Sequence, residues 1–192
     1  MQPNSKVTLA LLCAASSWPA AANELVARAE REPDLATNAI MNGGQMGLTL
    51  GVLIAMPPRN WSGGGEPQWS RFKESWSKPP IWNDGDHWAT KYIGHPLQGS
   101  QFYLFARQSR FSPLGAFASA TLASFAWEYV LEAWFEQPSW PDLLITSPTG
   151  MLLGEARWQL LKRLVANGTP GPLGQVGLFF VDPVSEMRIL LG

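Results

Sequence analysis

Cysteine is all but missing: Cys13 is the one thiol in 192 residues. Loss of the leader described below would remove it, which excludes a disulfide framework, a thiol nucleophile and a thiolate metal site from the mature protein. Charge is scarce as well, at 15% Asp, Glu, Lys and Arg against roughly 25% in an average soluble chain. That scarcity speaks against intrinsic disorder, a coiled coil and a charged tail. Neither sign prevails, with 14 Lys and Arg against 15 Asp and Glu. There is thus no basic footprint for a phosphate backbone, and no nucleic-acid partner is expected. The familiar catalytic signatures G-x-S-x-G, H-E-x-x-H, G-x-x-x-x-G-K and G-x-G-x-x-G are all absent. What the chain has instead is apolar bulk, 46% hydrophobic residues with 10 Trp, 18 Gly and 16 Pro. Its length fits one domain of about 150 residues plus extensions.

The N-terminus reads as a secretory leader. Lys6 supplies the positive start, Val7 to Ala15 the apolar stretch, and Ala20-Ala21-Ala22 the small residues of a cleavage site. Residues 1–22 are assigned to it. A lipoprotein acylated at Cys13 is the competing reading, but Leu12 stands where a small residue is wanted. An uncleaved anchor falls short of the roughly 20 apolar residues that a span needs.

Residues 23–58 form an N-terminal helical segment. Glu24 to Glu32 fits a short helix ended by Pro33. Leu35 to Pro58 carries no charge at all and is long enough to cross a bilayer, the only stretch in the mature chain read as a candidate span. Gly43, Gly47 and Gly51 lie on one helical face, where bare backbone admits a second helix. The alternatives to a span are a helix buried in a bundle and a re-entrant segment, because Asn42, Gln45 and four glycines weaken the apolar signal.

Residues 59–80, punctuated by Gly63-Gly64-Gly65, Pro67 and Pro79-Pro80, are expected to be a long loop. Trp61, Trp69 and Trp76, with Trp82 and Trp88 just beyond, interleave there with Arg59, Arg71, Lys73 and Lys78. That mixture suits either a membrane interface or a cover over the domain's own core, since so long a free loop is unusual in a compact domain.

Residues 81–166 are expected to be the compact part, a small helical bundle. Pro96 is read as opening a helix over Leu97 to Arg110, with Gly99, Tyr103 and Arg107 on one stripe. Ser112-Pro113 is an N-cap with a first-turn proline, starting a helix to about Phe135. Its rows of Gly115, Ser119 and Ala123, and of Ala116, Ala120 and Ser124, predict close packing. Ser139-Trp140-Pro141-Asp142 has the form of a capping box. Pro148 interrupts or restarts that helix, which continues through Gly150, Gly154 and Trp158 to about Val165. Residues 167–192 form a C-terminal extension, with Gln175 to Val181 and Met187 to Leu191 as a candidate β-hairpin. The expected fold class is mainly α.

The candidate chemistry rests on polar residues in apolar helices. Thr121, Ser124, Glu128, Glu132 and Glu136 share a face. Glu128 sits among aromatic and aliphatic neighbours, so it needs a partner or a raised pKa, and Arg107 is the expected partner. His95 and Asp142 are placed at helix starts, where the partial positive charge disfavours imidazolium and favours carboxylate. One reading gives His95, Glu128 and Asp142 acid/base roles, with Arg107 as an anion clamp. The other makes His95 and Asp142 caps and Arg107–Glu128 a packing ion pair. Glu132 and Glu136 approach a polar helix exit, and Glu155 beside Arg157 is expected to be exposed. Asp84, Asp86, His87 and His95 lack diagnostic metal-ligand spacing, so no metal site is assigned and no cofactor is named.

The run Asn83-Asp84-Gly85-Asp86-His87-Trp88, then Gly94-His95-Pro96-Leu97-Gln98-Gly99, Arg107, Trp127-Glu128, Glu132, Pro138-Ser139-Trp140-Pro141-Asp142, Gly150 and Gly154-Glu155 resembles an uncharacterised bacterial envelope family known only as a domain of unknown function. The resemblance covers about residues 81–155. More distantly, the order His, Glu, Ser-x-x-Asp, Gly-x-x-x-Gly is similar to VanZ-type membrane proteins, although their strongly hydrophobic spans are missing here. The likeness implies location and fold and transfers no catalytic role. It groups His95, Arg107, Glu128, Asp142 and Glu155 in one site, with Tyr103 and Glu132 beside them as binding residues.

The resulting expectation is an exported, periplasm-facing protein associated with the inner or outer membrane. Membrane lipid is the expected partner, together with an envelope protein or a second copy held through the glycine-rich helices. The alternative is a hydrolase or transferase acting on a lipid or cell-wall precursor through His95 and Glu128.

Overall fold

The computed structural model describes residues 32–55, 66–166 and Asp182. The expected leader, the helix over Glu24 to Glu32 save its last residue, and the two strands of the C-terminal hairpin lie outside those residues. The chain divides into two compact units, Glu32–Glu155 and a second made of Met1–Arg31 with Ala156–Gly192.

The first unit is a helical bundle with no strand among the described residues, as the mainly α expectation requires. α1 (Leu35–Ala55) is followed by α2 (Trp69–Ser77), and a π-helical turn (Thr90–Gly94) leads directly into α3 (His95–Gln108). α4 (Pro113–Ala126) passes into a second π turn (Trp127–Leu131) and a 3-10 turn (Glu132–Trp134), and α5 spans Trp140–Ala166.

Local chemistry sets these boundaries. Asp34 caps α1, its carboxylate accepting from the Thr37 amide at 2.9 Å and the Thr37 hydroxyl at 2.7 Å. α3 closes in a Schellman arrangement: the Phe111 amide donates to the Ala106 carbonyl and the Arg110 amide to that of Arg107. Arg110 takes the left-handed conformation (φ 71°) that glycine more often fills. Ser112 caps α4 by accepting from the Gly115 amide at 3.1 Å, as Ser112-Pro113 predicts. Ser139 accepts from the Asp142 amide at 3.3 Å, and its hydroxyl donates to Asp142 Oδ2. Ser139 thus caps α5 with Asp142 as its side-chain partner, as the Ser-x-x-Asp spacing predicts.

The bundle core joins Met46 of α1, Phe102, Tyr103 and Ala106 of α3, and Ala116, Ala120 and Ala123 of α4 to Trp127. Small residues set its spacing. A Cβ on Gly99 would collide with the Thr146 carbonyl, and one on Gly154 would stand 2.7 Å from the Tyr103 ring. The expected stripe of Gly99, Tyr103 and Arg107 therefore faces Gly150, Gly154 and Glu155 of α5.

Several expectations are corrected. The 59–80 segment is no continuous loop: Trp69–Ser77 is helical, and its aromatic side packs on the bundle. Trp69 and Phe72 lie 5.5 and 4.6 Å from Trp134, and Trp76 lies 5.2 Å from Tyr129. Proline and glycine at the ends of this segment mask a nine-residue amphipathic helix between them. α5 runs unbroken through Pro148, which neither stops nor restarts it.

α1 is uncharged and 21 residues long, yet among the described residues the helical stretch long and apolar enough to cross a membrane is Pro113–Trp134, at mean hydropathy 1.2. The amides and glycines of α1 lower its hydropathy. Its buried residues are Asn38, Asn42 and Met46, and Asn38 accepts from Ser119 on α4 at 2.7 Å. Gly43, Gly47 and Gly51 are not the packed face: a Cβ on any of them would meet nothing within 4 Å.

Of the second unit, Ala156–Ala166 and Asp182 are described. Leu161 and Asp182 are buried there. Burial pulls the Arg157 guanidinium below its ordinary range while Asp182 opposes the shift.

Candidate functional site

Two π turns flank the polar centre of the bundle. Each widens a helix by one residue per turn, a distortion found disproportionately at functional sites. The first delivers His95 and the second carries Glu128. The third side, Asp142, stands in the first turn of α5. A parallel bridge pins that helix start to the segment before the first π turn: the Ile81 amide donates to the Pro138 carbonyl at 3.0 Å, and the Trp140 amide to that of Ile81 at 2.8 Å.

Between Ile81 and α3 the Asn83-Asp84-Gly85-Asp86 run folds on itself. Asp84 accepts from the Asp86 amide at 2.8 Å, and Gly85 supplies the positive φ of 93°. Asp84 and Asp86 are thereby turned toward the bundle, where Lys91 donates to both Asp84 oxygens at 2.7 and 2.8 Å. Burial works against ionisation of Asp84, but the hydrogen bonds from Lys91 and the Asp86 amide outweigh it and hold its carboxyl at about 2.

His95, Glu128 and Asp142 are each at most 5% exposed. Each offers a ligand-type atom, all within 4.8 Å of one another. His95 Nε2 lies 3.6 Å from Asp142 Oδ1 and 3.9 Å from Asp86 Oδ2. Glu128 Oε1 and Asp142 Oδ1 have no hydrogen-bond partner. Burial lowers the basicity of His95, but the Asp86 hydrogen bond and the charges of Asp142 and Glu128 prevail, so its pKa is raised. The sequence expectation was the reverse, from a free helix start. Because the chain is already helical before His95, the imidazole answers to carboxylates rather than to open amides. Burial also raises the Asp142 carboxyl, against the pull of His95.

Glu132 and Glu136 correct another expectation. Both are buried, at 5% and 8% exposure, and extend the acidic face inward instead of meeting solvent. Thr121, expected on that face, is exposed, whereas Ser124 is buried.

Arg107 does not partner Glu128. It pairs through Nε with Glu155 Oε2 at 3.1 Å and donates to the Phe111 carbonyl at 2.7 Å. Tyr103 donates to the same Glu155 oxygen at 2.8 Å. This second cluster belongs to the other end of α3, since 12 residues of helix span about 18 Å. The single expected site thus resolves into two: His95, Glu128 and Asp142 with Glu132 nearby, and Tyr103, Arg107 and Glu155. Glu155 is intermediate in exposure rather than free in solvent.

Sequence reasoning missed Lys91, although it is the one Lys or Arg between Asp86 and Arg107, a cation in an otherwise uncharged stretch. It also missed Thr146 and Ser147, both 2% exposed with unpartnered hydroxyls. His87, weighed with Asp84 and Asp86 as a ligand, is exposed and accepts from the Ala89 amide.

Chemically, an imidazole facing two carboxylates in a dry centre can exchange a proton or hold a cation. No curated protein and no solved structure matches the chain. A family model does, over residues 68–184, more than half of the chain and wider than the resemblance over 81–155. All residues of both clusters fall inside that match, and the chain belongs to the family described as Domain of unknown function (DUF3943).

Proposed function

We propose that this chain is an exported bacterial envelope protein that associates with a membrane and binds lipid through its outer surface. One observation carries the reading: polarity is inverted between surface and interior. Ile40, Leu48, Leu114, Leu122 and Leu152 are 68–75% exposed, whereas Lys91, His95, Glu128, Glu132, Glu136 and Asp142 are buried. In water, large contiguous apolar surface is costly and marks an interaction face. In lipid, ionisable groups turn inward and pair with one another. Half-exposed Trp69, Trp76 and Trp88 suit the boundary between the two solvents. The Pro113–Trp134 stretch adds support, since only 39% of its apolar window is buried within the protein.

Expression with the native leader, followed by fractionation, an alkaline carbonate wash and a mass of the mature N-terminus, tests both halves. Retention in the washed membrane with a start near Asn23 is expected. Release into the soluble fraction overturns the lipid reading, and an intact leader overturns export.

A second reading is favoured by the convergence of His95, Glu128 and Asp142 within 4.8 Å. It is acid/base hydrolysis or transfer on a lipid or cell-wall precursor, without Arg107 as anion clamp. Glu128→Gln would then leave a folded chain lacking an activity that the wild type shows on such lipids.

A further inference from the structure

The acidic centre has more carboxyl groups than its own bases can answer. Asp84, Asp86, Glu128, Glu132, Glu136 and Asp142 interact with one another and with two basic groups, Lys91 and His95. Lys91 is committed to Asp84. Around His95 remain buried carboxylates, and Glu128 Oε1 and Asp142 Oδ1 have no hydrogen-bond partner. Isolated buried carboxylates are costly unless a proton or a cation neutralises them.

We propose that His95, Glu128 and Asp142 together bind one divalent first-row transition-metal ion of the Zn²⁺ or Mn²⁺ kind. The donor set is one imidazole nitrogen and two carboxylate oxygens, which suits such ions and not a thiophilic one. Two carboxylates and a neutral imidazole cancel the 2+ charge in full. Atoms bonded to one ion at about 2.1 Å stand about 3.0–3.4 Å apart. His95 Nε2 and Asp142 Oδ1, at 3.6 Å, need to move by only a few tenths of an ångström. The third donor lies within the same 4.8 Å.

The surroundings hold the donors in place. Ser139 donates to Asp142 Oδ2, which leaves Oδ1 to face His95. Asp86 Oδ2 lies 3.9 Å from the same Nε2, so it stands beside the donor set as a further carboxylate oxygen close to the ion's place. Access is short, because Gly85 and His87 on either side of Asp86 are exposed.

The test uses the full chain, purified without a polyhistidine tag, stripped with chelator and titrated with Mn²⁺, with Zn²⁺ as competitor. Metal content and electron paramagnetic resonance report occupancy, and pulsed measurements report nitrogen coupling from a bound imidazole. The expected result is about one Mn²⁺ per chain, displaced by Zn²⁺. Nitrogen coupling should persist in His87→Gln and vanish in His95→Gln. Affinity should fall at least tenfold in Glu128→Gln and Asp142→Asn with helical circular dichroism unchanged. Should those variants fail to fold, the wild-type and His87→Gln spectra decide alone, since only two histidines exist. Absence of saturable binding by the wild type, or nitrogen coupling that follows His87, overturns the proposal and leaves protons as the neutralising charge.

Discussion

Gly150 meets Gly99 backbone to backbone: a Cβ on Gly150 would stand 2.5 Å from the Gly99 carbonyl carbon. Neither side can yield, because the nearest atoms are main chain in two packed helices. This contact sets the distance between α3 and α5, and hence the distance between His95 and Asp142 near their starts. Gly150→Ala should destabilise the fold by about 1–3 kcal/mol or more. Gly47→Ala, where nothing lies within 4 Å, should be neutral or gain up to about 1 kcal/mol from helix propensity. Thermal melts of the two variants beside the wild type check both, with a fall in the first and none in the second.

The Lys91–Asp84 pair is a buried ion pair of the bundle, with side chains 9% and 1% exposed. Removing one partner strands the other, at a cost of about 3–5 kcal/mol. Asp84→Asn and Lys91→Met should each be severely destabilising alone, whereas the double variant should recover much of the loss. Chemical denaturation of the three variants measures the coupling. Independent, additive losses would show that the pair does not act as a unit.

The helices that carry both clusters were legible because their signals are local. Ser112-Pro113 and Ser139-x-x-Asp142 mark helix starts through bonds spanning three residues, and Ala116, Ala120 and Ser124 mark a packed row. His95, Glu128 and Asp142 could be named from polarity in an apolar context. Their grouping came from the family resemblance alone, because their convergence depends on two π turns and on the Ile81–Ser139 bridge, which no periodicity announces. The false partnership of Arg107 with Glu128 has the same origin: adjacent helices were known, but not which ends meet. α2 was hidden by the prolines and glycines beyond its ends, and the polar burial of α1 was masked by its lack of charge.

Charge placed on the outer surface separates the lipid reading from ordinary core packing. Leu48 and Leu122 are 68% and 71% exposed, so Leu48→Lys and Leu122→Lys should change helical content and detergent-solubilised stability by under about 0.5 kcal/mol. The same pair combined should release a larger share of the protein from membranes in the carbonate wash. Loss of fold in detergent would mean that these leucines pack on protein rather than on lipid.

Tyr103, Glu155 and Arg107 provide a pH-dependent stability signal away from the acidic centre. Burial, then the hydrogen bond to Glu155 and its charge, raise the Tyr103 pKa above its ordinary 10. Once the pH is high enough for the unfolded phenol to ionise while the folded one, which holds its proton more tightly, cannot, ionisation favours the unfolded chain. The sign follows from proton counting: above pH 10 the unfolded state binds fewer protons, so stability falls as pH rises. The contribution is intact below pH 10 and declines above it until the folded pKa is passed. Tyr103→Phe should therefore flatten the alkaline limb of the stability profile, at a cost near neutrality of about 1 kcal/mol for the lost hydrogen bond. Glu155→Gln should cost more, since it also leaves Arg107 without its carboxylate. Absorbance at 295 nm, which reports phenolate, should show one of the three tyrosines ionising later than the others in the wild type, and that late component should be missing in Tyr103→Phe. A profile unchanged by the substitution would mean that the Tyr103 hydroxyl ionises alike in both states.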